Sequence, residues 1–147
     1  MLAYDYAADQ DYHPELGSPW DIKKLYYTHG FIRRRFELIV ERLQNDNVEL
    51  SEEVLKHLDL WRSLPDVLQR VTTRVPVGPW FERRDDALRA HGTQIDPEGA
   101  FFLSDPELQR EVWPTEEFEL AKSRIGVEPT YSEPYEDDLF AGLEGDD

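Results

Sequence analysis

The chain has 147 residues, of which 39% are hydrophobic and 12% aromatic, which suits one folded domain. Its net charge of −16 excludes nucleic acid and anionic membrane surfaces as partners, because both would repel it. It has no cysteine, which excludes disulfides, thiolate metal sites and cysteine nucleophiles. It also has no apolar run of membrane-spanning length and no signal pattern at the N-terminus, so we expect a cytoplasmic protein.

The first third of the chain predicts helices on either side of a strand. Residues 1–8 are helix formers without an N-terminal cap, which is typical of the second half of a helix that has been cut. After a loop with two prolines, residues 23–29 predict a strand, and residues 31–43 repeat apolar side chains at helical spacing. We expect an amphipathic helix there, with the arginine run at 33–35 on its solvated face.

The middle of the chain predicts another helix and a second strand. Ser51 followed by two acids is a typical capped helix start, and this helix should end before Pro65. Valine and threonine alternate through residues 71–77, which predicts a half-buried strand. Pro76 lacks the N–H that a sheet hydrogen bond needs, so the end of this strand should lie at an edge.

A helix over residues 80–91 is expected after the break at Gly78-Pro79. One stripe of this helix leads to His91, which we therefore expect on an inward-leaning face. The stripe consists of Trp80, Arg84, Ala87 and His91.

The last part of the chain predicts two helices and a tail. Residues 104–107 form a capping-box pattern for a short helix, and a final helix is expected over 116–122. From residue 126 onward the chain carries acids, two prolines and no base, which predicts a mostly disordered tail. The chain is therefore divided into a body at 1–125 and an acidic tail at 126–147.

Three runs of residues carry a resemblance to a known family. They are residues 20–31 with the core Lys-Leu-Tyr-Tyr-Thr-His-Gly-Phe, residues 83–97 with Ala-Leu-Arg-Ala-His-Gly-Thr-Gln, and residues 113–124 with Trp-Pro-Thr-Glu-Glu-Phe-Glu-Leu. They resemble the C-terminal part of the mycothiol S-conjugate amidases, which are members of the LmbE/PIG-L zinc deacetylase superfamily. The likeness runs over about residues 1–124.

The resemblance implies an α/β fold that is the C-terminal part of an LmbE/PIG-L Rossmann-like fold. We expect four or five helices with a short pair of antiparallel strands at 24–29 and 71–77. The N-terminal parallel sheet of the parent fold should be missing. Its absence would leave apolar surface exposed, so we also expect the chain to self-associate.

The resemblance implies a zinc hydrolase that cleaves the amide between the S-conjugated N-acetylcysteine and the glucosaminyl-inositol of a mycothiol S-conjugate, in detoxification. The family holds its zinc in Ala-His-Pro-Asp-Asp-Glu and His-Pro-Asp-His motifs, and neither occurs in this sequence. His13-Pro14-Glu15 lacks the paired acids, and the four histidines have no ligand spacing. We therefore expect this chain alone to bind no metal, to contain no catalytic residue and to be inactive.

Three residues are candidates for substrate binding. His91 and Gln94 lie in an Ala-His-Gly-Thr-Gln run that resembles a recurrent run of the superfamily, where they would line the cleft. His29 ends the first strand, at the side of an open α/β sheet where ligands bind. The alternative for His91 is a helix-end histidine satisfied by a neighbour, and the alternative for His29 is a polar residue at a strand end.

Two other functions remain open. One is the sister N-acetylglucosaminyl-inositol deacetylase of mycothiol biosynthesis, which would act on the same sugar. The other is a non-catalytic binding module whose acidic tail engages a basic partner.

Overall fold

A computed structural model describes residues 2–97 and 99–143 of the chain. In this part of the chain, five α-helices accompany one three-stranded antiparallel sheet. The helices are α1 (Leu2–Ala7), α2 (Arg33–Asn45), α3 (Glu52–Ser63), α4 (Phe81–Arg89) and α5 (Pro106–Val112). The strands are β1 (Lys24–Thr28), β2 (Thr73–Pro76) and β3 (Thr115–Ser123). No described helix has both the length and the apolar composition needed to cross a membrane.

The helix starts follow local capping chemistry. Ser51 caps α3, because its hydroxyl accepts a hydrogen bond of 3.3 Å from the N–H of Val54, as the sequence predicts. In α5 the cap is Asp105 rather than Ser104, so the predicted capping box is shifted by one residue. The Asp105 carboxylate accepts a 2.7 Å hydrogen bond from the N–H of Leu108.

The predicted pairing of the two strands is wrong, because β1 and β2 each pair antiparallel with β3 and not with each other. β3 lies where the sequence predicted the last helix, at 116–122, so that helix is also wrong. Phe118 of β3 is flanked by Thr28 on one side and Thr73 on the other. The residues of β3 include good helix formers, but pairing on both sides satisfies its backbone, and this overrides local propensity.

The order of the sheet is β1-β3-β2, so β2 is an edge strand. Pro76 stands at the end of β2, which confirms the prediction that this end lies at an edge. On the other side, the register of β1 shifts between Leu25 and Tyr26, which pair with Lys122 and Leu120 respectively. This irregularity is a bulge-like feature of the β1-β3 ladder.

The hydrophobic core lies between α2 and α3. Val40 packs with Val54 and Leu58, and three partly buried residues cover this cluster: Leu50, Trp61 and Leu103. The apolar stripe predicted for α2 is confirmed by the burial of Ile39, Val40 and Leu43.

The face of α4 that points inward differs from the predicted one. Phe81 and Asp85 are the buried residues of α4, whereas Trp80 is 59% exposed and His91, after the helix, is exposed as well. The prediction of an inward-leaning His91 is therefore wrong. Phe81 is buried instead of Trp80, so the inward face of α4 is rotated by about one residue, or 100°, from the predicted face.

Part of the acidic segment after residue 125 contacts the edge strand. Thr73 and Glu136 form an isolated parallel bridge, and the carbonyl oxygen of Glu136 accepts a 2.8 Å hydrogen bond from the N–H of Arg74. The boundary between body and tail and the disorder of the tail remain predictions.

Candidate functional site

A cavity of about 270 Å³ lies between the end of β1, the strand β3 and the helices α2, α4 and α5. Its walls combine phenylalanine and leucine side chains with polar groups that can orient a ligand. The polar residues of the lining are Thr28, His29, Arg35, Arg84, Ser104, Gln109, Glu116 and Glu117. Concave, mostly apolar walls with a few convergent polar groups are typical of small-molecule sites.

Glu117 is the fully buried acid of this cavity, with 0% of its side chain exposed. Its Oε1 accepts 2.6 Å hydrogen bonds from the indole N–H of Trp113 and the hydroxyl of Thr115. Its Oε2 accepts none from the described residues and lies 3.9 Å from Nη1 of Arg35. Burial raises the pKa of Glu117, against the lowering effect of these hydrogen bonds. A buried acceptor without a donor is costly, and the charge of Arg35 at 3.9 Å offsets part of that cost.

Arg35 is the cation opposite this acid. The sequence placed the whole run 33–35 on a solvated face, and that prediction is wrong for Arg35, whose side chain is only 17% exposed. One Nη of Arg35 donates to the carbonyl oxygen of Gly30. Burial lowers the pKa of Arg35, and the charge of Glu117 opposes that shift. The pair therefore places opposite charges on one wall of the cavity.

A second polar group of the cavity is held by a chain of hydrogen bonds. Nη2 of Arg84 donates to Oδ1 of Asp85 at 2.7 Å and to Oε1 of Gln109 at 2.6 Å. The side-chain amide of Gln109 in turn donates to the carbonyl oxygen of Ser104 at 2.9 Å. These bonds fix the guanidinium of Arg84 and tie α4 to α5.

His29 lies on the cavity wall, but its ring is already engaged. Its Nε2 is 3.0 Å from Oε2 of Glu119, which also pairs with Arg70 at 2.8 Å. Partial burial acts to raise the pKa of Glu119, yet Arg70 and His29 outweigh it and hold that pKa below its usual range. The backbone N–H of His29 donates to the carbonyl oxygen of Glu117 at 2.9 Å and extends the β1-β3 ladder. His29 is thus both a polar residue paired at a strand end and a residue of the cavity wall.

A second cavity of about 330 Å³ adjoins the first. The two share the side chains of Phe31, Phe36 and Phe101. Gln94 lines the second cavity, whereas His91 is exposed and lines neither. Of the three candidates, the structure therefore brings His29 and Gln94 to adjoining cavities and leaves His91 apart.

Sequence reasoning missed Glu117, Arg35 and Gln109. The alternation of Phe118 and Leu120 indicates a strand at this position, but it places Glu117 on the opposite face and does not predict its burial. The contacts of Arg35 and Gln109 depend on residues from other elements, so no local pattern indicated their position.

The residues of the described part of the chain do not fit a zinc centre. They contain no group of three or more His, Asp or Glu side chains placed to hold a metal ion. His13, whose Nδ1 is 2.9 Å from Glu15, forms an exposed pair at the surface. No catalytic step is therefore assigned to these residues.

The relatives of this chain are named as an amidase and as deacetylases, which are enzymes that act on amide bonds. The chain is 44% identical, over 145 residues, to mycothiol S-conjugate amidase of Streptomyces coelicolor, a match that covers 97% of this chain and 47% of the amidase. It is 35% identical to 1D-myo-inositol 2-acetamido-2-deoxy-alpha-D-glucopyranoside deacetylase 1 of Frankia alni, over 97% of this chain and 48% of that protein. The corresponding deacetylase of Geodermatophilus obscurus is 34% identical, over 99% of this chain and 47% of that protein.

The resemblance seen in the sequence is confirmed by these relatives: the chain is similar to mycothiol S-conjugate amidase and to the inositol acetamido-glucopyranoside deacetylases. It spans about half the length of the curated relatives it matches, which is consistent with a C-terminal portion. No family model matches the chain, and no solved structure matches it.

Proposed function

We propose that this chain is the C-terminal, substrate-side portion of a mycothiol S-conjugate amidase. The observation that carries this proposal is the 44% identity to the Streptomyces coelicolor amidase across 97% of the chain. The complete enzyme would add water to the amide carbonyl and break the C–N bond. The products would be the carboxylate of the S-conjugated N-acetylcysteine and the amine of the glucosaminyl-inositol.

The first cavity supports the proposal because its polar groups suit a ligand that is rich in hydroxyls. A hydroxyl both donates and accepts, so it can donate to a carboxylate of the lining, such as that of Glu116, and accept from a guanidinium. Glu117 and Arg35 face each other across 3.9 Å, and Arg84 is held nearby by its neighbours. Hydrogen bonds to such charged partners are the stronger ones. In this proposal the cavity binds the glucosaminyl-inositol.

The candidate residues have distinct places in this proposal. His29 lines the first cavity and Gln94 lines the second, and in this proposal each contacts the part of the substrate bound there. His91 would contact the substrate from the exposed turn after α4. Zinc would belong to the portion of the amidase that this chain does not cover, since the described residues do not fit a zinc centre.

The test joins this chain to the uncovered N-terminal portion of the Streptomyces coelicolor relative. We expect the joined protein to hold about one zinc per chain and to hydrolyse a mycothiol S-conjugate, and the 147-residue chain alone to do neither. Glu117→Gln in the joined protein should lower kcat/KM by about tenfold or more, because a buried charged acceptor is lost. Glu107→Gln, at an acid whose side chain is 77% exposed, is the matched control. Zinc binding by the joined protein without hydrolysis of the conjugate would contradict the proposal.

The sister deacetylase is the second candidate, because two of the relatives with that name are 35% and 34% identical to the chain. The joined protein is therefore also assayed with the N-acetylated glucosaminyl-inositol. A higher kcat/KM for that substrate than for the S-conjugate would assign the chain to the deacetylase. Hydrolysis of neither substrate by a zinc-loaded, folded protein would favour the non-catalytic acidic module.

A further inference from the structure

The second cavity is built from aromatic side chains, and we refer to it as the aromatic cleft. Phe36 contacts Trp61 with ring centroids 4.1 Å apart and ring planes tilted by 33°, and Phe31 lies 6.3 Å from Phe36 at an interplanar angle of 23°. Phe101 closes the row at 6.2 Å from Phe31. These four rings and the imidazole of His57 thus line one open space of about 330 Å³. This is close to the lower end of the volumes of ligand pockets, about 300–1,000 Å³.

Two of the rings that line the aromatic cleft, those of Phe31 and Phe101, keep about half of their surface exposed. Phe31 is 53% exposed and Phe101 is 49% exposed, although each also contacts another ring. A flat apolar group placed against their exposed faces would remove this surface from water and gain ring contacts, which favour offset and edge-to-face geometries.

The aromatic cleft continues directly into the polar cavity, because Phe31, Phe36 and Phe101 belong to both. A ligand that fills the pair must therefore have a hydroxyl-rich end and an apolar end. The S-conjugate of the proposed function has this division: a sugar-inositol at one end and the group attached to sulfur at the other.

The geometry points to the aromatic cleft as the subsite for the sulfur-bound substituent, with a preference for aromatic substituents. This inference rests on the proposed function for the identity of the whole substrate. The affinity of the aromatic cleft for an uncharged aromatic thioether does not depend on that identity.

The first experiment uses the 147-residue chain as it is. Benzyl methyl sulfide is the probe, since it carries an uncharged ring on a thioether, and its binding is followed by ligand-observed NMR. We expect Phe101→Ala and Phe31→Ala to weaken probe binding about three- to tenfold, because ring contacts and buried area are lost. Phe101→Leu, which retains apolar volume, should have a smaller effect and guards against misfolding.

Phe140→Ala is the matched control, because Phe140 is 73% exposed and lines neither cavity. We expect it to leave probe affinity unchanged. Equal affinity in wild type, Phe101→Ala and Phe140→Ala would mean that the probe binds elsewhere, and that result would overturn the inference.

The second experiment uses the joined protein with two conjugates, one S-benzyl and one S-methyl. We expect Phe101→Ala to lower kcat/KM for the S-benzyl conjugate at least about threefold more than for the S-methyl conjugate. An equal loss for both would overturn the subsite assignment while leaving the proposed amidase function in place. A joined protein that hydrolyses neither conjugate would overturn the proposed function, and the assignment of the cleft to a conjugate with it. Probe binding would then still report whether the cleft takes aromatic groups.

Discussion

Glu136 accepts a 2.6 Å hydrogen bond from the phenolic hydroxyl of Tyr26, which precedes it by 110 positions. The same carboxylate accepts from Nζ of Lys24 at 2.5 Å and from the hydroxyl of Thr73 at 2.7 Å. The side chain of Lys24 is only 3% exposed, so its buried charge needs the opposite charge of this acid. One residue of the acidic segment thus satisfies polar groups from both edge strands of the sheet.

Glu136→Gln should destabilise the protein. It removes the charge that faces Lys24 and disturbs three short hydrogen bonds, so we expect the free energy of unfolding to fall by about 1–3 kcal/mol. Urea denaturation followed by circular dichroism measures this. Asp137→Asn, at the exposed neighbouring acid, should change stability by less than about 0.5 kcal/mol. Equal effects of the two substitutions would mean that Glu136 is not an anchor.

The pH dependence of stability follows from the same acid. Partial burial acts to raise the pKa of Glu136, but the hydrogen bonds from Lys24, Tyr26 and Thr73 outweigh it and lower that pKa from its usual 4.5. The stabilising contribution is therefore complete above pH 4.5 and is lost as the pH falls through the lower, folded-state value. Stability measured between neutral pH and acid should fall less steeply in Glu136→Gln than in wild type.

Glu117 should show the opposite dependence. Burial raises its pKa above the usual 4.5, so its contribution to stability is complete below pH 4.5 and is lost as the pH rises through the folded-state value. We expect Glu117→Gln to gain stability relative to wild type as the pH is raised from acid toward neutral. The difference between the two unfolding free energies at each pH is the readout. A constant difference would contradict the raised pKa.

His91→Ala tests the remaining site candidate. Since His91 is exposed, the substitution should change the free energy of unfolding by less than about 0.5 kcal/mol. In the joined protein we expect kcat/KM to fall if His91 contacts substrate, as its proposed role requires. His13→Ala, at another exposed histidine, is the control for both measurements. A joined protein with unchanged kinetics would remove His91 from the substrate-binding residues.

The isolated chain should self-associate through exposed apolar side chains. Leu16 is 81% exposed and Trp20 is 75% exposed, and apolar patches at a surface favour association. We expect sedimentation velocity to show a concentration-dependent mass that shifts toward monomer in Leu16→Ser with Trp20→Ser. Gln10→Ser, at an exposed polar residue, should leave the mass distribution as it is. A monomer at all concentrations would contradict the expectation.

Features set by neighbours in sequence were predicted well. Ser51 begins α3 because its hydroxyl needs only the N–H of Val54, three residues away. The stripe of α2 and the edge position of Pro76 are equally local. Each of these patterns arises from residues that are close in sequence, so the sequence alone was enough to predict the feature.

Features set by distant partners were missed. Whether Glu117 belongs to a helix or a strand is decided by β1 and β2, which pair with it from far along the chain. Arg35 lies 3.9 Å from Glu117, so a sequence analysis that misplaced Glu117 had no partner to assign to Arg35. The candidate site was therefore found only in part: His29 and Gln94 were predicted, and the charged pair at its wall was not.

The position of β3 at the centre of the sheet affects the order of events during synthesis. β1 and β2 leave the ribosome early, yet neither can form its ladder until β3 has been made, as His29 and Glu119 show by meeting across 90 positions. Until then both strands keep unpaired edges, which are sites for wrong pairing. A nascent chain halted before Thr115 would carry no sheet, and such pauses are where we expect the ribosome-bound chain to need a chaperone.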